Sequence, residues 1–196
     1  MIELVKTIVQ ENLKSFPITE GSEQRSVGDL IEFKVTQILL TMASNPLVKK
    51  CLKARGKKSI EDVTVVDKNG IYHYVDTKTH NEHSEFSMPN LTSIDKIRKM
   101  IFDEKKTLSY VFVHYSVDNN IVTIKDVDVK YLWEVDLTDT RIGALGKGQL
   151  QISNMKKGLH YTNQGKINWF EDLKLLVRKY HDDRIAAIEK EKLLWL

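Results

Sequence analysis

The chain has 196 residues, 41% hydrophobic and 29% charged, the make-up of one soluble globular domain that buries its own core. No apolar run approaches the ~18 residues of a membrane span. A single cysteine, Cys51, excludes an intrachain disulfide and a cysteine-based zinc site and fits a reducing cytoplasm, while a formal charge of +3 is too small to argue for nucleic acid by itself.

Residues 2–14 place Leu4, Val5, Ile8, Val9 and Leu13 at helical spacing between charged residues, which reads as an amphipathic helix and not a signal peptide. Phe16 to Arg25 contains Pro17 and Gly21 and reads as a loop. Ser26-Val27-Gly28-Asp29 resembles a capping box, and the helix it starts buries Ile31, Val35, Ile38, Leu39 and Met42. Glu32 lies one residue off that stripe, where a surface glutamate is the ordinary reading. Asn45-Pro46 interrupts the helix, and Pro46 at a first helical position predicts a short second segment. No Asp or Glu occurs from Phe33 to Ile60, whereas Lys49, Lys50, Lys53, Arg55, Lys57 and Lys58 crowd together. The cluster reads equally as a phosphate-contacting patch and as a solvated helix end and loop.

Asp62 to Lys78, DVTVVDKNGIYHYVDTK, organises the rest. Runs rich in Val, Ile and Tyr flank Lys68-Asn69-Gly70, and Asn-Gly is the strongest short-range hairpin signal. A polar loop follows from His80 to Met88, then Pro89-Asn90. Leu91, Ile94, Ile97 and Ile101 predict a helix over about 92–105. Strands are predicted at 108–117 and 121–129 around Asp118-Asn119-Asn120. Residues 130–148 are ambiguous, with Gly143, Gly146 and Gly148 marking loop, while 149–153 reads as a short strand and 155–164 as loop. Asn168 with Glu171 opens a terminal helix whose stripe is Leu173, Leu176, Val177, Tyr180, Ile185 and Ile188. There are no repeats and no linker. The order of elements predicts an α/β (α+β) fold, a central mixed sheet flanked by helices.

Side chains two apart on a strand share a face, so Asp76 and Lys78 point the same way. A two-residue turn at Asn69-Gly70 would set Asp62 opposite Thr77, on the wrong face. A three-residue loop with a bulge at Gly70, or a bend at Asp62, would bring it round. Two acids and a lysine at one hairpin end suit phosphodiester hydrolysis. The phosphate must be neutralised, a water activated and the leaving oxygen protonated. Hard carboxylate oxygens hold Mg²⁺, which meets the first need, with Asp62, Asp76 and the Thr77 backbone carbonyl as candidate ligands. A lysine beside the ion can orient or deprotonate the water. An exposed strand end with an ion pair would carry the same three residues.

Asp62…Asp76-Thr77-Lys78 resembles the PD-(D/E)xK nuclease motif, here without the proline before the first acid. Val27-Gly28-Asp29-Leu30-Ile31-Glu32 is similar to the helix that carries an active-site glutamate in the EcoRV/HincII branch of type II restriction endonucleases. Asp76-Thr77-Lys78-Thr79-His80-Asn81 resembles the Asp-x-Lys-Thr stretch of that branch. Met88-Pro89-Asn90-Leu91-Thr92-Ser93 resembles its base-approaching loop and helix start, with Ser87 where a glutamine stands. The resemblance implies one restriction-endonuclease-like domain over 1–196, with a core at roughly 26–130 and a C-terminal helix at 168–194. It implies Glu32, Asp62, Asp76 and Lys78 as catalytic groups. It implies contacts to double-stranded DNA from Asn90, Ser87, Met88, Asn81, Lys147 and Lys156. The expected enzyme is a homodimer that cuts a short palindromic site with Mg²⁺ and no organic cofactor, twofold protein symmetry matching twofold DNA symmetry. Blunt ends are what the branch implies.

Two other readings fit the same residues: a repair or structure-selective nuclease, and a non-catalytic DNA-binding module on a decayed nuclease fold. A zinc site at His80-Asn81-Glu82-His83 is a further reading, but the stretch lacks a second pair of ligands.

Overall fold

The computed structural model describes residues 1–18, 26–54, 56, 59–85, 87–143 and 148–195. Helix α1 (Ile2–Asn12) and helix α2 (Ser26–Thr41) lie on one face of a six-stranded sheet. Its strands are β1 (Phe16–Pro17), β2 (Val48–Lys53), β3 (Val63–Asp67), β4 (Tyr72–Asn81), β6 (Lys106–Asp118) and β7 (Ile121–Tyr131), in the order β1-β7-β6-β4-β3-β2. β4 and β6 run parallel and the other neighbours antiparallel, so the sheet is mixed as expected. A second, three-stranded sheet packs on the other side in the order β5-β9-β8, from β5 (Asn90–Ser93), β8 (Thr140–Gly143) and β9 (Gln149–Ile152). Helix α3 (Ile94–Met100) and the first turns of α4 (Lys166–Lys192) join it there.

Two apolar layers hold these parts together. Between α1, α2 and the large sheet, Val5 and Val9 meet Ile31, Val35, Leu39, Val75, Val111 and Val113. Lys6 Nζ donates to Asp128 at 3.1 Å and Gln10 Nε2 to the Val127 carbonyl at 2.9 Å, which pins α1 across β7. On the opposite face Leu108, Tyr110 and Phe112 of β6 pack against Ile97, Ile101, Leu150, Ile152, Trp169 and Leu173. Burial of this kind stabilises by about 1.5–3 kcal/mol per large aliphatic or aromatic side chain. The Trp169 indole also donates to the Val135 carbonyl at 2.8 Å, so its one polar atom is satisfied.

Four local expectations need correction. Phe16–Pro17 is a short edge strand on β7, not loop. Pro46 starts no helix: Asn45 Oδ1 accepts from Leu47 N at 2.9 Å, an Asx turn that delivers the chain into edge strand β2. Lys49, Lys50 and Lys53 therefore sit on an exposed sheet edge, where charge discourages pairing with another chain. The helix expected over 92–105 is seven residues long, because Asn90–Ser93 pair with β9 and Ser93 Oγ caps α3 through Lys96 N. On α4, Ile185 and Ile188 are 55% and 46% exposed, so the stripe packs only as far as Tyr180. The Ser26 side chain, expected as a helix cap, lies outside the described residues, as do Arg55, Lys57 and Lys58 of the basic cluster.

No helix among the described residues is long and apolar enough to cross a membrane.

Candidate active site

The hairpin register decides where the acids meet. Val66 pairs with Tyr72 and Val63 with Val75, so Lys68, Asn69 and Gly70 form a three-residue loop. Gly70 has φ +78°, which a glycine adopts without steric cost, and its N–H donates to the Asp67 carbonyl at 3.1 Å. Asp67 Oδ1 accepts from Ile71 N at 2.9 Å and closes the loop. The paired register ends at Val63, and Asp62, on a bend just before it, donates its N–H to the Val75 carbonyl at 2.9 Å. The loop register and this bend together bring Asp62 beside Asp76, close enough for the two charges to interact.

Asp62 is fixed from three sides. Its carbonyl accepts from Ala54 N at 2.8 Å, and its Oδ2 accepts from Thr77 N at 2.7 Å. In a strand a residue's N–H and C=O point to the same side, so the Thr77 carbonyl also lies on the Asp62 side of β4. Lys78 Nζ is 2.6 Å from Asp76 Oδ2, with the Tyr110 ring 6.0 Å below the ammonium. Glu32 comes in from α2. Gly28, one turn earlier, lets that helix approach β4 closely, since a Cβ there would be 2.9 Å from Thr79 Oγ1.

The electrostatics follow from crowding three acids into a half-dry corner. Burial pushes Glu32 up to about 7, helped by the charge of Asp62, a hydrogen bond shared with it, and Asp76. Burial likewise raises Asp76 to about 6, against the opposing pull of Lys78. Such a corner gains from a cation. Among the described residues no three His, Cys, Asp or Glu side chains form a complete metal cage. Mg²⁺ does not require one: it keeps several waters and takes one or two carboxylates, the rest coming from substrate phosphate. Asp62, Asp76 and the Thr77 carbonyl fit that donor set.

These groups open into a groove of about 900 Å³. Glu32, Asp62, Asp76 and Lys78 line it together with Asn90, so five of the residues singled out in the sequence come to one place. Lys53 and Lys96 add positive charge to its walls, and Lys96 Nζ donates to the Ser59 carbonyl at 3.2 Å. Ser87, Met88, Asn81 and Lys156 are not among the groove-lining residues. Asn81 Oδ1 instead accepts from His83 N at 3.0 Å at the end of β4, and Ser87 O accepts from Met155 N at 2.9 Å. Lys147 lies outside the described residues, as does Phe86. His80 is buried edge-on against His114, whereas His83 is exposed beside Glu82 and Asp118, which gives no zinc constellation among the described residues.

Lys96 and Glu61 also line the groove and had no signal in the sequence, and Gln149, at the start of the strand expected over 149–153, joins them. Lys96 is one more lysine on a short helix, and Gln149 reaches the groove only through strand pairing that residue order does not reveal.

Among solved structures, NlaIV restriction endonuclease matches 83% of this chain and 70% of its own, with a TM-score of 0.52 at 14% identity. The likeness shows a restriction-endonuclease-like fold. No protein-family model and no curated protein matches the sequence.

Proposed function

We propose that the protein is a Mg²⁺-dependent endonuclease that hydrolyses phosphodiester bonds in double-stranded DNA at a specific short site. The observation that carries this is the meeting of Asp62, Asp76 and Lys78 at the open end of the β3–β4 hairpin, inside a groove with lysines on its walls. The restriction-endonuclease-like fold supports the same reading. Type II action at a palindrome, by a homodimer whose twofold axis matches that of the DNA, belongs to the proposal.

Asp62 and Asp76, with the Thr77 carbonyl, would hold Mg²⁺. The ion supplies charge neutralisation at the phosphate and lowers the pKa of water. Thr77 N–H keeps Asp62 aimed at the site. Asp76 holds the Lys78 ammonium in place, and that ammonium orients the attacking water by donating to it. Glu32, whose carboxyl burial and the neighbouring acids push up to about 7, would bond to the same water. Lys53 and Lys96 contact backbone phosphates on either side.

Incubating the purified protein with a long unmethylated DNA, in Mg²⁺ and in EDTA, tests this. Discrete fragments that need Mg²⁺ are the expected result. A Mg²⁺-dependent smear would move the function to a repair-type nuclease, and binding without cleavage would contradict the proposal.

A further inference from the structure

Asn90, Gln151 and Arg141 stand directly opposite one another across the small sheet, since Asn90 pairs with Gln151 and Gln151 with Arg141. Their side chains are hydrogen-bonded in a row. Arg141 Nε donates to Gln151 Oε1 at 3.2 Å, and Gln151 Nε2 donates to Asn90 Oδ1. The polarity of this row is not free to invert. A guanidinium has only donors, so the Gln151 atom facing it is the oxygen. The Gln151 nitrogen then faces Asn90 and requires an oxygen there. It follows that the Asn90 –NH₂ is turned away from Gln151, and it donates to no other described residue.

Two further observations fix the row. Gln151 is buried, with its carboxamide lying against the backbone of Gly143. A Cβ at Gly143 would come within 2.4 Å of Gln151 Cδ and Oε1, so any side chain there expels the amide. Asn90 itself is exposed on the groove that holds Asp62, Asp76 and Lys78. The row thus runs from the protein surface at Arg141 to the groove.

We propose that Arg141 and Gln151 are positioning residues that lock the Asn90 carboxamide with its –NH₂ toward the DNA, so that Asn90 selects a hydrogen-bond acceptor on a base edge. This rests on the nuclease reading of the groove. The acceptors available are N7 and O6 of guanine, N7 of adenine and O4 of thymine. The N4 amine of cytosine would face the Asn90 donors with a donor of its own. A locked donor discriminates more sharply than a free carboxamide, which turns over to suit either partner. The expected preference for an acceptor is on the order of tenfold.

The test reads base preference by binding, apart from catalysis. The full chain, with Ca²⁺ in place of Mg²⁺, selects duplexes from a randomised library. Gln151→Glu keeps a partner for Arg141 but offers Asn90 only acceptors. The Asn90 amide must then turn over and present Oδ1 to the DNA. The expected result is a change from an acceptor-bearing to a donor-bearing base edge at one position, with the other positions unchanged. Arg141→Ala, an exposed change that leaves the core intact, frees Gln151 and is expected to relax the same position. Identical selected sequences from all three proteins would overturn the inference, and so would a uniform loss of selection at every position. If the wild-type chain selects no sequence, the inference fails, and Mg²⁺-dependent cleavage measured alongside decides the nuclease reading separately.

Discussion

Burial raises Asp76 to about 6 and Glu32 to about 7, so the metal-free protein keeps protons on acids that exposed carboxyls would have lost. A raised folded-state pKa contributes stability below the unfolded value, and that stability is lost as pH rises through the folded value. The window here runs from about pH 4 to pH 7. Asp76→Asn removes the penalty. In EDTA at pH 8 it is expected to be more stable than wild type by up to about 3 kcal/mol, at about 1.4 kcal/mol per pKa unit, and no more stable at pH 4. Denaturant melts at the two pH values check this. Addition of Mg²⁺ at pH 8 is expected to raise the melting temperature of wild type and leave that of Asp76→Asn unmoved. Equal stabilisation of both proteins would mean that the ion binds elsewhere.

The β3–β4 hairpin is the element on which the site depends. Its two strands carry the acids in a register that one residue of loop controls, and a shift of one residue turns a side chain to the other face. Insertion of one residue between Asp67 and Lys68, with the Lys68-Asn69-Gly70 loop kept, would shift β3 by one residue along β4 and turn Asp62 toward Thr77. The expected protein keeps its sheet by circular dichroism but binds Mg²⁺ at least tenfold more weakly and does not cleave; calorimetric titration measures the first. Undiminished binding in a folded insertion variant would refute the dependence on register. This hairpin was legible in the sequence because Lys68-Asn69-Gly70 is local turn chemistry between two β-rich runs. β2 and β5 were not legible. Pro46 fits the first position of a helix as well as an Asx turn, and only pairing with β3 makes Val48–Lys53 a strand. Leu91 falls at helical spacing with Ile94, Ile97 and Ile101 and reaches the same core from a strand. The Arg141–Gln151–Asn90 row was hidden for a related reason. Its members lie far apart in the chain and meet only through the β5-β9-β8 pairing.

In the molecule as a whole, two apolar layers sandwich the large sheet, and the groove opens before the start of β3, where β4 continues along β6. Lys53 on the sheet edge and Lys96 on α3 flank the acids from different elements, as contacts to a duplex backbone require. Lys53→Ala is expected to weaken DNA binding uniformly across sequences and to lower the slope of log K against log salt by about 1. Binding measured between 50 and 200 mM salt, roughly the span over which counterion release is steep, gives that slope. An unchanged slope would place Lys53 outside the interface. The far half of α4 stands apart from this machinery, since Leu173 is its last buried residue and Tyr180 its last packed one. A chain ending at His181 is expected to melt cooperatively within a few degrees of the full chain, by about the fraying cost of a helix end. A large fall in melting temperature would show that the exposed Ile185 and Ile188 are covered in solution.

Asp62, Asp76 and Lys78 are proposed to form one hydrolytic site. Single-turnover cleavage of the same DNA by wild type and Lys78→Ala, at equal Mg²⁺ and pH 8, tests it most directly. The expected rate in the variant is lower by about 10²–10⁴-fold, with Ca²⁺-supported DNA binding retained. Cleavage by Lys78→Ala at the wild-type rate would contradict it.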